Sequence, residues 1–453
     1  MKVMIIGGGA AGSTAAQFAR KQDRDAEITV LERGEYPEYS RCGMPNVLAG
    51  DIPKFEDLVE FSTDWFERNR IRLKLSTETT SVDLSAKKVE FRSPEGNGVE
   101  RFDSLVFATG ASPAPLNIEG LAKEGVFQFR GINDSKALQN WCAKKKRNVL
   151  IVGAGLVGLE VADALSKMRH RVTVVEYLDQ VLPAMIDPDI AEPVAAMAKK
   201  ASISIITSSF VRSLAGGSAV EAAEIVSRAD SSPSKLKCDT VVLAAGQRPS
   251  TDLGVKIGCS MGAKGHIRVN SRCETNQPGV FAVGDCAEYL DFVTGEPLAA
   301  GLGTLAVKMG EVAGRNSAGG TATLPKGFIN SRVTRLFGME IAAAGPLYSS
   351  LAGKGIACVQ SRMKGSTLPP YFPGGKDLTV KLVCTDQGQL LACQIIGEKE
   401  AAMRVDIVSA MISAGQGAKE LTQLDNAYAP SVAPCVDVLA AAAQGILIKI
   451  GRK

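Results

Sequence analysis

The sequence predicts an α/β protein: two copies of one strand–turn–helix–strand unit, each completed by later strands, and then a C-terminal α+β segment. Three observations carry this. A glycine-rich turn following an apolar strand occurs twice, and each time an acid ends the next strand. Short apolar strands ending in small residues follow each copy. From about residue 326 the pattern alternates as in strands, then turns helical, and the glycine turn does not recur. At 453 residues the chain is too long for one hydrophobic core.

The first copy is "KVMIIGGGAAGSTAAQFAR", where Gly7, Gly9 and Gly12 spell G-x-G-x-x-G, and "ITVLERG" ends its second strand with Glu32. The second is "NVLIVGAGLVGLEVADAL", with Gly153, Gly155 and Gly158, followed by "RVTVVEY" and Glu176. Such glycines allow a tight turn, let a pyrophosphate approach backbone N–H groups, and bring helix close to strand, while the acid suits a ribose hydroxyl. One such motif is a weak signal. Two in register with strand, helix and acid predict two bound dinucleotides.

Each unit is then closed. "DSLVFATGASPAP" carries Thr109 and Gly110, and "CDTVVLAAGQRPS" carries Gly246, small residues that let a dinucleotide pass. "GVFAVGDCAE" ends a strand at Asp285, an acid suited to a hydroxylated chain or to a helix cap. "LAAGLGTLAVKMGEVAGRN" reads as a helix. In the last segment, "LTVKLVC" and "QLLACQIIG" read as strands and Arg404 to Ala414 as a helix. The terminal "VLAAAAQGILIKIGRK" reads as a packed helix or strand, with a membrane-surface anchor as the alternative. The predicted domains are 1–112 with 246–325, 113–245, and 326–453.

Apolar residues at 45% and charged residues at 22% suit a globular protein. A formal charge of +4 without basic, aromatic-interleaved runs gives no nucleic-acid signal. No apolar run approaches the roughly 20 residues that span a membrane, and an N-terminus that enters a strand at once, from Met1 to Ile6, is expected to leave no room for a signal peptide. The ten cysteines are scattered, without metal-ligand or disulfide-scaffold spacing. A cytoplasmic protein with reduced thiols, no metal, no nucleic acid and no membrane partner is expected.

With both fingerprints and the closing strands in order, the chain resembles the FAD-dependent pyridine nucleotide–disulfide oxidoreductases over essentially its whole length. It is most similar to their single-cysteine branch of coenzyme A disulfide reductases, persulfide and polysulfide reductases, and NADH oxidases. The resemblance implies two Rossmann-like dinucleotide-binding domains, for FAD and NAD(P)H, and a C-terminal α+β dimerisation domain. Gly7, Gly9, Ala11, Gly12, Glu32, Arg33, Thr109, Gly110 and Asp285 would then hold FAD. Gly153, Gly155, Val157, Gly158, Glu160, Glu176 and Gly246 would hold NAD(P)H, with Glu160 near the nicotinamide or serving as ordinary helix polarity. Glu176 favours NADH, whereas the nearby Arg169 and Arg171 keep NADPH open. A homodimer sharing its active site is implied.

Cys42, in "EYSRCGMPNVLAG", stands where this branch places its redox thiol; a helix beginning near Pro45 would favour its thiolate. An isolated cysteine would read as a buried hydrophobe, and the other nine keep that reading. Asn46 occupies the resolving-cysteine position of the two-cysteine branch, so the partner sulfur comes from a small-molecule thiol or disulfide, or an oxygen makes a sulfenic acid. His170 and His266, the two histidines, read as surface residues. Tyr371 in "LPPYFPGG" and Tyr428 in "NAYAPSVAP" resemble the phenols that reach the partner subunit's cysteine in coenzyme A disulfide reductases. For coenzyme A, as substrate or bound mixed disulfide, the candidate contacts are Thr14, Arg20, Lys21, Ser40 and Arg41. Arg41 and Phe18 depart from that family's usual Asn and Gln.

Three functions are consistent with these residues. One is an NAD(P)H-dependent reductase of coenzyme A disulfide, coenzyme A persulfide or polysulfide. The second is an oxygen-reducing NADH oxidase, and the third a flavoprotein electron donor to a protein partner.

Overall fold

The computed structural model describes residues 1–298 and 301–452. They form two compact units. One comprises Met1–Val47, Ile52–Ala114 and Gln247–Phe328; the other comprises Leu48–Asp51, Pro115–Gly246 and Ile329–Lys453. Both belong to the α/β class that the sequence predicts.

The first unit is built on a five-stranded parallel sheet in the order Val280–Ala282, Ser104–Phe107, Lys2–Ile6, Glu27–Leu31, Ile71–Lys74. Its strands are covered on both faces, which is why they read as continuous apolar runs rather than alternating ones. Ile5, Val30, Leu105 and Val106 are fully buried, each worth about 1.5–3 kcal/mol of transfer free energy. The helix Ala10–Gln22 packs on the helix Gly303–Ser317 through small residues. A Cβ on Gly310 would lie 2.4 Å from the carbonyl oxygen of Ala11, and one on Gly314 2.3 Å from that of Ala15. That second helix was expected within a stretch beginning at Leu298; its Ala299 and Ala300 lie outside the described residues.

The second unit repeats the parallel sheet, in the order Val126–Gln128, Thr240–Leu243, Asn148–Val152, Arg171–Val175, Ile203–Ile206. A three-stranded antiparallel sheet (Ser209–Ala215, Ala222–Ser227, Pro233–Lys237) follows in sequence. The same unit holds a five-stranded antiparallel sheet in the order Arg332–Leu336, Met339–Ala344, Leu390–Gly397, Asp377–Thr385, Cys358–Ser366. The helix Ala401–Ser413 begins three residues before the expected one and ends one residue short of it. The apolar C-terminus is a helix, Val438–Ile450, with Val438, Leu439, Ala442, Ala443 and Ile446 buried. Among the described residues no helix is long and apolar enough to cross a membrane.

A buried ionic cluster lies inside this unit. Lys381 Nζ lies 2.9 Å from Asp187 and 2.6 Å from Asp189. Asp187 also accepts from the Gln394 amide at 2.8 Å and from the Tyr348 N–H at 3.1 Å.

Candidate active site

The two glycine loops are near duplicates. Gly7 and Gly153 have φ of +105° and +107°, open to glycine at little cost. A Cβ on Gly12 would come 1.9 Å from the Gly7 carbonyl oxygen, and one on Gly158 2.0 Å from that of Gly153. These glycines are therefore fixed by the fold. The middle glycines differ. A Cβ on Gly155 would meet nothing within 4 Å, and one on Gly9 only Arg41 Nη1, at 3.0 Å. Gly9 and Gly155 thus leave room at helix N-termini whose first N–H groups have no intrahelical acceptor. A space lined with amide donors, open at Gly155 and entered at Gly9 by the Arg41 guanidinium alone, fits a dinucleotide pyrophosphate. Ala11 and Val157 stand in the first turns of these helices.

Both strand-end acids are held alike. Glu32 accepts the Gly8 and Gly34 N–H groups, each at 2.6 Å; Glu176 accepts those of Ala154 at 2.6 Å and Leu178 at 2.8 Å. Each carboxylate is oriented, and each oxygen keeps a lone pair for a hydroxyl. Arg33, next to Glu32, is exposed. Arg169 and Arg171 do not flank Glu176 as expected. They stand at the opposite end of the strand Arg171–Val175, with Arg171 about 17 Å away at 3.3 Å per residue. The cation at the Glu176 end is Arg228, which sequence spacing could not place there. Its guanidinium lies 4.0 Å from the Tyr177 ring centroid.

Thr109 donates to the Ser250 carbonyl at 2.5 Å, tying the strand end before Gly110 to the returning chain. Asp285, half-buried, lies in a 3₁₀ turn (Gly284–Cys286) directly after the strand Val280–Ala282. Gly246, with φ of +93°, has open space at its Cβ position.

Cys42 lies in a 3₁₀ turn, Arg41–Gly43, followed by the helix Met44–Ala49, which begins one residue earlier than expected. Cys42 is exposed, whereas seven of the other nine thiols are buried and Cys358 is half-buried. Burial pushes the Cys142 and Cys238 thiols up to about 11 and that of Cys384 to about 12, which keeps them protonated and inert. Cys435 corrects the expectation of nine packed thiols, because it is exposed.

The candidate substrate residues separate into different settings. Thr14 is buried. Arg20 spends its guanidinium on four carbonyls, those of Asp23, Arg24, Asn69 and Arg70. Lys21 is exposed and lies over the Phe18 ring, while Ser40 is half-buried. Arg41 lies 5.0 Å from the Tyr39 ring centroid and reaches back to the first glycine loop. Beside it is a group the sequence did not single out. Glu38 is 6% exposed, and its Oε2 has no hydrogen-bond partner. Burial, with Glu60 adding repulsion, pushes its carboxyl up to about 7.

In the second unit Thr334 donates to Glu160 at 2.7 Å. Burial raises the Glu160 carboxyl, and this hydrogen bond partly opposes the shift. The phenol oxygens of Tyr371 and Tyr428 are 3.1 Å apart. His170 is not at the surface as expected. It is buried, and its Nδ1 accepts the Arg147 N–H at 3.1 Å. His266 is half-buried, and burial lowers both imidazoles.

The profile of the pyridine nucleotide-disulphide oxidoreductase family matches residues 1–309. The chain belongs to this family. As a pyridine nucleotide-disulphide oxidoreductase it is an NAD(P)H-dependent enzyme with FAD as its second cofactor. It is 37% identical to a protein named NADH oxidase from Methanocaldococcus jannaschii, over 100% of both chains. It is 32% identical to one named NAD(P)H coenzyme A polysulfide/persulfide reductase from Pyrococcus horikoshii, over 97% of this chain and 96% of the other. The solved structure of an NAD-dependent persulfide reductase from A. fulgidus superimposes with a TM-score of 0.95 at 31% identity. That match covers 100% of this oxidoreductase and 84% of the neighbour.

Proposed function

We propose that this oxidoreductase reduces coenzyme A disulfide, coenzyme A persulfide or polysulfide through Cys42. The observation that carries the reading is an exposed thiol whose neighbour, Arg41, reaches the first glycine loop. In this reading residues 1–112 with 246–325 bind FAD, 113–245 bind NAD(P)H, and 326–453 form a homodimer in the cytoplasm. Ten free thiols suit that compartment. The exposed side chains Met403, Val432, Val436, Tyr371 and Tyr428 suit burial against a second copy.

Bound FAD supplies the two electrons taken from the nicotinamide. The Cys42 thiolate attacks one sulfur of the acceptor, forming a mixed disulfide and expelling the other sulfur as a thiolate. Two electrons and a proton then return Cys42 and release the second thiol. Tyr371 and Tyr428, contributed by the partner copy, would protonate the departing sulfur. Arg41 we assign to the FAD diphosphate, given its reach to Gly9, and Lys21 and Ser40 to the thiol carrier.

The full-length identity with a protein named NADH oxidase favours a second reading, in which oxygen is the acceptor. Anaerobic NADH turnover with coenzyme A disulfide, coenzyme A persulfide and polysulfide, compared between the wild type and Cys42→Ser, separates them. Thiol chemistry predicts anaerobic turnover that the substitution abolishes. Equal rates in both proteins, or turnover with oxygen alone, would overturn it.

A further inference from the structure

Glu176 ends its strand with both carboxylate oxygens engaged by amides and only 7% of its surface exposed. Alone, such a group accepts from a ribose 2′-hydroxyl and repels a 2′-phosphate. The next residue alters the balance. Tyr177 is 55% exposed, and the Arg228 guanidinium stacks on its ring while Nη1 donates to the Tyr177 carbonyl at 3.0 Å. Arg228 comes from the end of the strand Ala222–Ser227, and its own N–H donates to the Ser208 carbonyl at 2.8 Å. The Tyr177 ring is itself braced by Phe210, with ring centroids 6.4 Å apart.

Two contacts, the ring stack and the Nη1 hydrogen bond, therefore hold this guanidinium at the residue that follows the strand-end acid, and the backbone bond to Ser208 fixes where its chain enters. Among the described residues Arg228 makes no ion pair. The nearby Asp230 carboxylate is satisfied by Ser232 through both its N–H, at 3.1 Å, and its hydroxyl, at 2.8 Å. The hydrogen bond to Tyr177 uses one edge of a five-donor fork, and the remaining donors are uncommitted. A pre-positioned planar cation with free donors suits a phosphate bidentately.

We propose that Arg228 is a specificity-determining residue: it receives the 2′-phosphate of NADPH and so lets a site built around Glu176 accept both nicotinamide cofactors. This rests on the reading of the second glycine loop as the NAD(P)H site.

The test is calorimetric titration of the flavin-loaded enzyme with ADP-ribose and with 2′-phospho-ADP-ribose, for the wild type and Arg228→Gln. Binding of ADP-ribose to the wild type tests the underlying reading; its absence would sink that reading first. Given binding, Arg228→Gln should raise Kd for the 2′-phosphorylated ligand about 10-fold or more and leave ADP-ribose within about twofold. Equal weakening of both ligands would assign Arg228 to packing on Tyr177, and no weakening of either would leave it without a role; each overturns the proposal. Should the Gln variant not fold, the wild type decides through salt. Attraction to Arg228 predicts that added salt weakens the phosphorylated ligand more than ADP-ribose. Tightening with salt, the sign of screened repulsion from Glu176, overturns it.

Discussion

Tyr371 and Tyr428 lie 57 positions apart in the chain, yet their phenol oxygens meet at 3.1 Å with 72% and 50% of the side chains' residues exposed. The bond to Tyr371 raises the Tyr428 phenol above its ordinary value, so it remains a proton donor throughout the neutral range. Tyr428→Phe should lower kcat with a coenzyme A disulfide or persulfide by about 100-fold. The rate at which NADH bleaches the flavin should not change, because that step precedes any departing thiolate. Tyr371→Phe, which removes only the partner, should cost less. Stopped-flow measurement of the two half-reactions checks this, and an equal loss in both would remove the phenols from sulfur chemistry.

Arg41 carries a separable expectation. If its guanidinium serves the flavin diphosphate, Arg41→Gln should weaken FAD about 10-fold or more, read by titrating the apoprotein with FAD. KM for the thiol substrate should stay within about twofold. The reverse pattern, with FAD unaffected and KM raised, would return Arg41 to the coenzyme A site.

Glu38 makes stability depend on pH. Its unfolded carboxyl titrates near 4.5 and its folded one at about 7. Below 4.5 both states are protonated and the stability is fully present. Between the two values only the folded state keeps its proton, so stability falls as pH rises and the loss is complete above about 7. Glu38→Gln should therefore raise Tm at pH 8 by about 2 °C or more and change it less at pH 5. Parallel Tm-versus-pH curves for the two proteins would contradict this.

The Lys381 cluster should be costly to break from one side. Its side chain is 4% exposed and that of Asp187 3%, so Lys381→Met leaves an uncompensated buried carboxylate at a cost of about 3–5 kcal/mol. Adding Asp187→Asn should recover part of that loss, a non-additivity visible in denaturant melts.

These residues also show which parts of the molecule were legible in advance. The glycine loops and their acids were, because each constraint is local: Gly12 is required by a carbonyl five residues back, and Glu32 lies at a fixed offset along one strand–helix–strand unit. Cys42 was singled out by its place in the motif order, and what the structure adds is its exposure. Arg228, Glu38 and the reach of Arg41 to Gly9 were not, since each depends on neighbours from other elements. Arg169 and Arg171 misled for the same reason: closeness in sequence to Glu176 says nothing when a whole strand intervenes. His170, in a short connection before a strand, looked solvent-bound until the Arg147 segment covered it.

Gly155 has a practical corollary. Its neighbours in the motif abut main chain, but around Gly155 there is empty space. One methyl group there would occupy the room that we assign to the pyrophosphate of NAD(P)H and disturb no packed atom. On that assignment Gly155→Ala would blind the enzyme to its electron source while leaving it folded and flavin-loaded, so that the sulfur half of the cycle could be driven by a chemical reductant and watched by itself.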